Sequence, residues 1–167
     1  PEPSVARLSA SGNTVYVVGV RSAFRYHWNE ETRRLVADPD WHFDYIGAST
    51  QTHGWDAVLD GHNAWFMDNG RHRYLTTMVG AGVSRTANRL VRVALQDSRD
   101  HTLLDVSGLA GGSITNPPLV DRQRQIVLGY DSANRVLQAW RILPGTGALE
   151  PLWKKHPFAC ASHMVLY

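Results

Sequence analysis

Residues 126–147 read IVLGYDSANRVLQAWRILPGTG, and this stretch decides the fold. Two apolar runs, at 126–130 and 136–142, are separated by a polar turn, and a Pro-Gly-Thr-Gly turn closes the second run. Short runs rich in Val, Ile, Tyr and Trp, divided by Gly, Asn, Asp or Pro, are typical of antiparallel strands and their turns. The stretch therefore predicts a β-hairpin.

The sequence pattern of this hairpin occurs more than once in the chain. TANRLVRVALQDSRDHTLLDVS at 86–107 aligns without a gap on SANRVLQAWRILPGTGALEPLW at 132–153, with a shift of 46 residues. The Ala-Asn-Arg triplet coincides, and the apolar pairs Leu90/Val136 and Val91/Leu137 fall in register. A chance match of one triplet would not bring these apolar pairs into register as well.

A third copy precedes these two. Residues 15–41 follow the same order of apolar run, turn and aromatic run, and Trp41 there takes the place of Trp153. The first apolar runs of the three copies begin at residues 15, 64 and 126, at spacings of 49 and 62. Repetition of a four-strand unit at about this period is typical of β-propeller blades.

One segment of the repeat also has helical periodicity. The apolar residues between 87 and 95 fit a period of 3.6 as well as they fit a strand. In the aligned copy, however, Leu143-Pro-Gly-Thr-Gly would interrupt any helix. The alignment therefore favours a strand here.

The repeat predicts an all-β chain, in which blades of four antiparallel strands form part of a β-propeller. The predicted limits of the blades are 1–47, 48–110 and 111–159, and 160–167 begins a further blade. Three blades do not close a ring, and an open fan would expose strand edges and apolar faces. We therefore expect a partner, which is either the remaining blades of the same propeller or a second chain that completes the ring.

The composition limits which other classes of partner are expected. With 167 residues, 43% hydrophobic and 19% charged, the chain should form one folded, soluble domain. Its basic residues are scattered, so the net charge of +2 does not predict a nucleic-acid partner. A single cysteine, Cys160, excludes an internal disulfide. No apolar run is long enough to cross a bilayer and no secretory signal is visible, so no membrane partner is expected and localisation stays open.

The stretch IVLGYDSANRVLQAWRILPGTGALEPLW resembles the blades of six-bladed propellers of the gluconolactonase and senescence-marker-protein (regucalcin) family and of NHL-repeat proteins. The Asp-Ser-x-Asn-Arg turn and the Thr-Gly-x-Leu hairpin carry this resemblance. Quinoprotein blades, which contain a similar Thr-Gly-x-Leu-x-Trp phrase, are the second candidate, although their adjacent cysteine pair is missing. Because these residues build blades, the resemblance implies a fold more directly than an activity.

The gluconolactonase-like resemblance implies a divalent metal, held at the rim of the central channel by Glu, Asn and Asp. Residues just before the innermost strands give the candidate ligands Glu2, His53, Asp56, Asn116 and His163. The family's flanking motifs are only partly kept, since prolines follow Glu2 and Asn116, and His163 stands in for the Asp. Oxygen ligands suit Ca²⁺ or Mg²⁺, whereas added histidines favour Zn²⁺ or Mn²⁺. The alternative is that these residues are polar groups lining the channel.

Aromatic and basic residues supply candidate ligand contacts. About 16 extra residues, GRHRYLTTMVGAGVSR at 70–85, separate the second and third strands of the middle blade and should overhang the same rim. They offer Arg71, His72, Arg73 and Tyr74 to an acidic or sugar-like ligand, although an insertion without function is as compatible with the sequence. Trp55 is the tryptophan predicted at the rim. The other strand tryptophans, Trp41, Trp65, Trp140 and Trp153, are expected to pack between blades.

Together these features predict a β-propeller that binds a small ligand or a divalent metal at its channel rim. The resemblance adds hydrolysis of lactones or esters, in which the metal would polarise the carbonyl group and lower the pKa of a bound water. The alternatives are a non-catalytic scaffold for protein contacts and a quinoprotein-like propeller.

Overall fold

A computed structural model describes residues 3–9, 12–19, 22–44, 57–68, 89–109, 117–131 and 134–158. Within them the regular structure is entirely β, in three antiparallel four-stranded sheets. The first sheet contains β1 (Pro3–Leu8), β2 (Thr14–Gly19), β3 (Ser22–Asn29) and β4 (Arg34–Asp44). The second contains β5 (Ala57–Leu59), β6 (Asn63–Asp68), β7 (Arg89–Ala94) and β8 (His101–Asp105). The third contains β9 (Leu119–Asp121), β10 (Ile126–Asp131), β11 (Val136–Ile142) and β12 (Leu149–Lys155).

Each sheet is a meander whose strands neighbour one another in chain order, as the blade prediction requires. We call the sheets the first, second and third blades. The segment with helical periodicity forms the strand β7, so the strand prediction is confirmed there. The further strand predicted within 160–167 lies outside the described residues, and the blade limits stay predictions. In the described part of the chain, no helix is long and apolar enough to cross a membrane.

Aspartates close the turn between the first two strands of the second and third blades. Asp60 Oδ1 accepts hydrogen bonds from the backbone amides of His62 and Asn63, at 2.8 and 2.7 Å. Asp121 Oδ1 accepts the corresponding pair from Gln123 and Arg124, both at 3.0 Å. A short acidic side chain at this position satisfies the turn amides, which explains why the strand ends there.

The two hairpins align one residue differently from the ungapped sequence alignment. The amide of Leu95 donates to the carbonyl of His62, and the amide of Ile142 donates to that of Gln125, both at 2.8 Å, so Leu95 and Ile142 are equivalent at a shift of 47. The predicted in-register pairs Leu90/Val136 and Val91/Leu137 are therefore wrong. Of the shared triplets, Arg89 begins β7, whereas Arg135 directly precedes β11. In the strands, such a slip would move every side chain to the other face.

Two apolar cores fill the spaces between the blades. In each blade we call the face toward the next blade along the chain the leading face, and the opposite one the trailing face. The first core joins Tyr16, Val18, Ala23, Trp41 and Phe43 of the first blade to Ala57, Ala64, Phe66, Val91, Val93 and Leu95 of the second. The second core joins Trp65, Met67, Leu90 and Val106 of the second blade to Val127, Val136, Trp140 and Ile142 of the third. The second blade is thus buried on both faces.

Three of the four strand tryptophans pack between blades as predicted. Trp41, Trp65 and Trp140 are at most 1% exposed. Trp41 also donates from Nε1 to the carbonyl of Ala94 in the second blade, at 3.1 Å. Trp153 is 47% exposed, so the prediction was wrong for this residue. Its strand, β12, is the outermost strand of the third blade, and no described residue packs over its indole.

The trailing face of the first blade is also open. Strand alternation places Val15, Val17, Phe24, Tyr26 and Trp28 on it, since Tyr16, Val18 and Ala23 face the second blade. The equivalent positions in the second blade, among them Phe66 and Val93, are fully buried. In the first blade four of the five are only partly buried, and Trp28 is 39% exposed. An apolar face that is core in the second and third blades is therefore accessible to solvent in the first.

We predict that Phe66→Ala lowers the free energy of unfolding by about 3 to 5 kcal/mol, because it leaves a cavity in the first interblade core. Urea denaturation followed by tryptophan fluorescence measures this change. The control Val36→Ala, at a half-exposed position of β4, should change the free energy by no more than about 1 kcal/mol. Equal effects at the two positions would contradict the described core.

Candidate functional site

All the site residues predicted from the sequence lie outside the described residues. They are Glu2, His53, Asp56, Asn116 and His163 for the metal, and Trp55, Arg71, His72, Arg73 and Tyr74 for the ligand. Within the described residues, no three side chains of His, Cys, Asp or Glu are grouped closely enough to hold a metal ion. The rim site therefore stays a prediction.

The innermost strands β1, β5 and β9, which the predicted rim residues would precede, lie within the described residues, and arginines form hydrogen bonds between them. Arg7 Nε on β1 donates to the carbonyl of Ala57 on β5, at 3.0 Å, and Arg122 Nη2 donates to the carbonyl of Leu59. Glu2 and Asp56 immediately precede β1 and β5 in the sequence. The innermost strands of neighbouring blades are thus in contact, and this is the arrangement that a shared rim would need.

A polar cluster lies at the opposite end of the first interblade space, beside the turn that leads into β2. Asp38 Oδ2 accepts from Arg25 Nε at 2.8 Å and lies 2.7 Å from Arg25 Nη2 and 3.0 Å from His27 Nε2. Thr14 Oγ1 lies 3.3 Å from His27 Nδ1. The contacts of His27 and Arg25 hold the pKa of Asp38 at about 2, below its usual value of 3.8.

This cluster contains the hydroxyl, imidazole and carboxylate groups of a nucleophilic triad, but its bonds serve the packing of the blades. Arg25 Nη1 donates to the carbonyl of Leu95 in the second blade, at 2.6 Å. The Arg25 guanidinium also lies 5.8 Å from the ring centroid of Trp41, within the first core. Asp38 therefore orients an arginine that joins two blades, which is a structural role.

The second interblade space has a buried arginine at the equivalent position. Arg92, on β7, is 4% exposed. Its Nη1 donates to Asn63 Oδ1 at 2.9 Å, its Nη2 bonds Asp100 Oδ1, and its Nη1 lies 3.4 Å from Asp100 Oδ2. The contact with Arg92 lowers the pKa of Asp100. The Asp100 side chain is 57% exposed, so the pair joins a buried cation to a carboxylate that water also reaches.

A cavity of about 490 Å³ adjoins Arg92, between the second and third blades. The turns after β5 and β9 line it on one side, and the loop 143–147 of the third blade lines it on the other. Gly147 has a φ of +64°, and a Cβ there would lie 2.8 Å from Arg92 Nη1, so a glycine is needed beside the guanidinium. The volume falls within the usual range for small-molecule sites.

Asp60 stands on the wall of this cavity. Burial raises its pKa, but hydrogen bonds from Trp65 Nε1, at 2.6 Å, and from the amides of Asn63 and His62 outweigh burial, and the pKa is lowered. The carboxylate is therefore ionised at neutral pH and occupied by its own turn. It does not act as a proton donor to a ligand in the cavity.

Sequence reasoning missed this cavity, although a signal for it was present. Arg25 and Arg92 are charged residues in the middle of the apolar strands AFRYHW and LVRVAL. A charge within an apolar strand is rarely buried without a partner. The signal identifies the two arginines, but not the cavity beside one of them.

The loss of folding stability at low pH tests the polar cluster around Asp38. Because the pKa of Asp38 is about 2 in the folded chain, its stabilising contribution is complete above pH 4 and is lost as the pH falls toward 2. Asp38→Asn should lower the melting temperature at pH 6 and show a smaller further loss between pH 4 and 2. Asp40→Asn removes an exposed carboxylate on the same strand but keeps the Arg25 contact, so it should retain the wild-type loss. Identical profiles for wild type and Asp38→Asn would contradict the assignment.

No family model and no curated protein matches the sequence. Among solved structures, the fold is similar to that of the periplasmic gluconolactonase of Pseudomonas aeruginosa, at 17% identity and a TM-score of 0.59, over 91% of this chain and 39% of that one. A putative 6-phosphogluconolactonase of Bacteroides uniformis matches at 8% identity and a TM-score of 0.54, over 90% of this chain and 40% of that one. A luciferin-regenerating enzyme matches at 13% identity and a TM-score of 0.50, over 89% and 45%.

The chain therefore spans roughly two fifths of the length of the structures that it resembles. At these identities the likeness concerns the fold alone. None of the three is a quinoprotein or an NHL-repeat protein, so those two resemblances remain predictions. The four-stranded meanders and the structural matches together show that the chain folds as part of a β-propeller.

Proposed function

We propose that this chain belongs to a β-propeller hydrolase that opens lactone rings. The observation that carries the proposal is the structural match to a gluconolactonase over 91% of the chain. The putative 6-phosphogluconolactonase supports the same class of substrate. The 126–153 stretch also resembles gluconolactonase-like blades in its turn residues, which supports the same proposal.

The proposed reaction needs a polar site but no redox partner. The oxygen of a water molecule bonds to the carbonyl carbon and the bond from that carbon to the ring oxygen breaks. The proton that water loses ends on the former ring oxygen, which leaves a hydroxy acid. A carboxylate or imidazole that takes up this proton accelerates such a reaction. Asp56 and His53, three residues apart and next to β5, are the residues that we propose for this role.

A divalent metal is part of the proposal as the resemblance implies it. Glu2, Asn116 and His163, with His53 and Asp56, would hold it, and it would polarise the lactone carbonyl. These five residues lie outside the described part of the chain, so the described geometry offers no test of the fit.

Hydrolysis of D-glucono-1,5-lactone, followed by acid release at constant pH, tests the activity. We expect the chain, or any longer natural form of it, to accelerate hydrolysis, and Asp56→Asn to reduce kcat/KM by about 100-fold or more. Asp97→Asn, in the turn between β7 and β8 at the other end of the second blade, is the control and should leave the rate unchanged. A rate no greater than that of the spontaneous reaction would overturn the proposal.

We further propose that another four-stranded blade covers the trailing face of the first blade. The second and third blades each bury the equivalent face against the blade that precedes them, so the first blade is expected to do the same. Trp28 and its cross-strand neighbour Leu35, 39% and 50% exposed, would lie at this contact. In the purified 167-residue chain, such a blade can come only from a second copy, packed head to tail.

Light scattering of the purified chain should therefore give a mass above 18.6 kDa. Trp28→Glu places a charge in the contact and should return the mass to that of one chain. Leu109→Glu, at a half-exposed position away from the trailing face, should not. A wild-type chain that is monomeric and unfolds cooperatively would contradict the proposed contact.

A further inference from the structure

Equivalent arginines make different contacts in the two interblade spaces. Arg25 uses Nε and Nη2 for Asp38 and gives Nη1 to the carbonyl of Leu95 in the next blade. Arg92 makes its hydrogen bonds within its own blade, to Asn63 and Asp100, and none to a described residue of the third blade. The acceptor that joins Arg25 to the next blade therefore has no counterpart at Arg92.

The unused donors of Arg92 form one edge of its guanidinium. Asp100 occupies the Nη1/Nη2 edge. Nε, on the adjoining edge with Nη2, is buried and has no hydrogen-bond partner among the residues that the structure describes. A buried donor without a partner is unfavourable, so its presence requires an explanation. The Nε/Nη2 edge is a fork that matches the two oxygens of a carboxylate.

The cavity beside Arg92 could accept the rest of such a molecule. Its charged lining groups Arg92, Arg122, Asp60 and Asp100 balance, and both aspartates are already engaged by protein groups. Gln96, Gln125 and Thr146 add neutral donors and acceptors, and Val120, Ile142 and Leu143 add apolar surface. Neutral side chains that both donate and accept hydrogen bonds suit hydroxyl groups on the ligand.

We propose that this cavity binds a small hydroxylated carboxylate, with the carboxylate on the Nε/Nη2 edge of Arg92. The ligand would then bridge Arg92 of the second blade and the third blade. In the first interblade space, Arg25 reaches the next blade directly, through the carbonyl of Leu95. Because Nε is buried in the unliganded chain, binding on this edge requires the guanidinium to turn toward the cavity. Arg25 already presents this edge to Asp38.

This site is separate from the proposed catalytic rim. The rim lies before the innermost strands, whereas Asp60 and Arg122, which line the cavity, directly follow β5 and β9. The inference therefore does not depend on lactone hydrolysis. Its failure and the failure of the proposed function can be told apart.

Calorimetric titration of the full chain with D-gluconate tests the site, at an ionic strength held constant with sodium chloride. D-sorbitol is the matched probe, because it has the same hydroxylated carbon chain without the carboxylate. We expect gluconate to bind at least about tenfold more tightly than sorbitol. Arg92→Lys, which keeps the charge and removes the fork, should weaken gluconate binding by about tenfold or more.

Arg25→Lys is the matched control, since it alters the equivalent arginine outside the cavity and should leave gluconate affinity within about twofold. Should Arg92→Lys fail to unfold cooperatively, Arg122→Gln carries the test, and its exposed side chain at the cavity should contribute about two- to fivefold. Absence of gluconate binding would overturn the inference, as would sorbitol binding equally well. Gluconate affinity that both cavity variants leave unchanged would also overturn it, and would assign the binding to another site such as the rim.

Discussion

The packing of one sheet against the next is the interaction on which the rest of this structure depends. Each blade has apolar side chains on both faces because successive residues of a strand point to opposite sides. A single sheet can cover neither face by itself. The second blade satisfies this requirement with Phe66 on one face and Trp65 on the other, both fully buried. On the outer faces, Trp28 of the first blade and Trp153 of the third are 39% and 47% exposed.

One position on the leading face of the third strand differs among the three blades. Arg25 reaches across the first interblade space and bonds the backbone of the second blade. Arg92, at the same position, is held within its own blade and leaves a cavity. The third blade has Ala139 there, which is fully buried. The same position thus holds an arginine that bonds the next blade, an arginine beside a cavity, and a buried alanine.

The two ends of the sheets serve different purposes in this interpretation. The rim proposed for lactone hydrolysis would lie at the end before the innermost strands, while the other end carries the turn aspartates and the Arg92 cavity. Polar side chains at strand ends can change without disturbing the interblade cores, because the cores lie between the ends. A repeated fold can therefore place a reaction at one end and a ligand at the other.

The sequence by itself determined the strands, their grouping into three meanders, and the burial of Trp41, Trp65 and Trp140, because these follow from local alternation and from a repeat. It did not determine which residue of β7 is equivalent to which residue of β11 in the next blade. A one-residue shift of the alignment leaves the apolar composition unchanged but moves each side chain to the other face. Nor did it reveal that Trp153 is exposed, which depends on whether another sheet packs over β12. The rim residues came from a family resemblance and remain untested. The environment of Arg92 was decided by tertiary structure alone, because it is made by Asp100, Gly147 and the third blade, whose distances from the guanidinium no sequence pattern encodes.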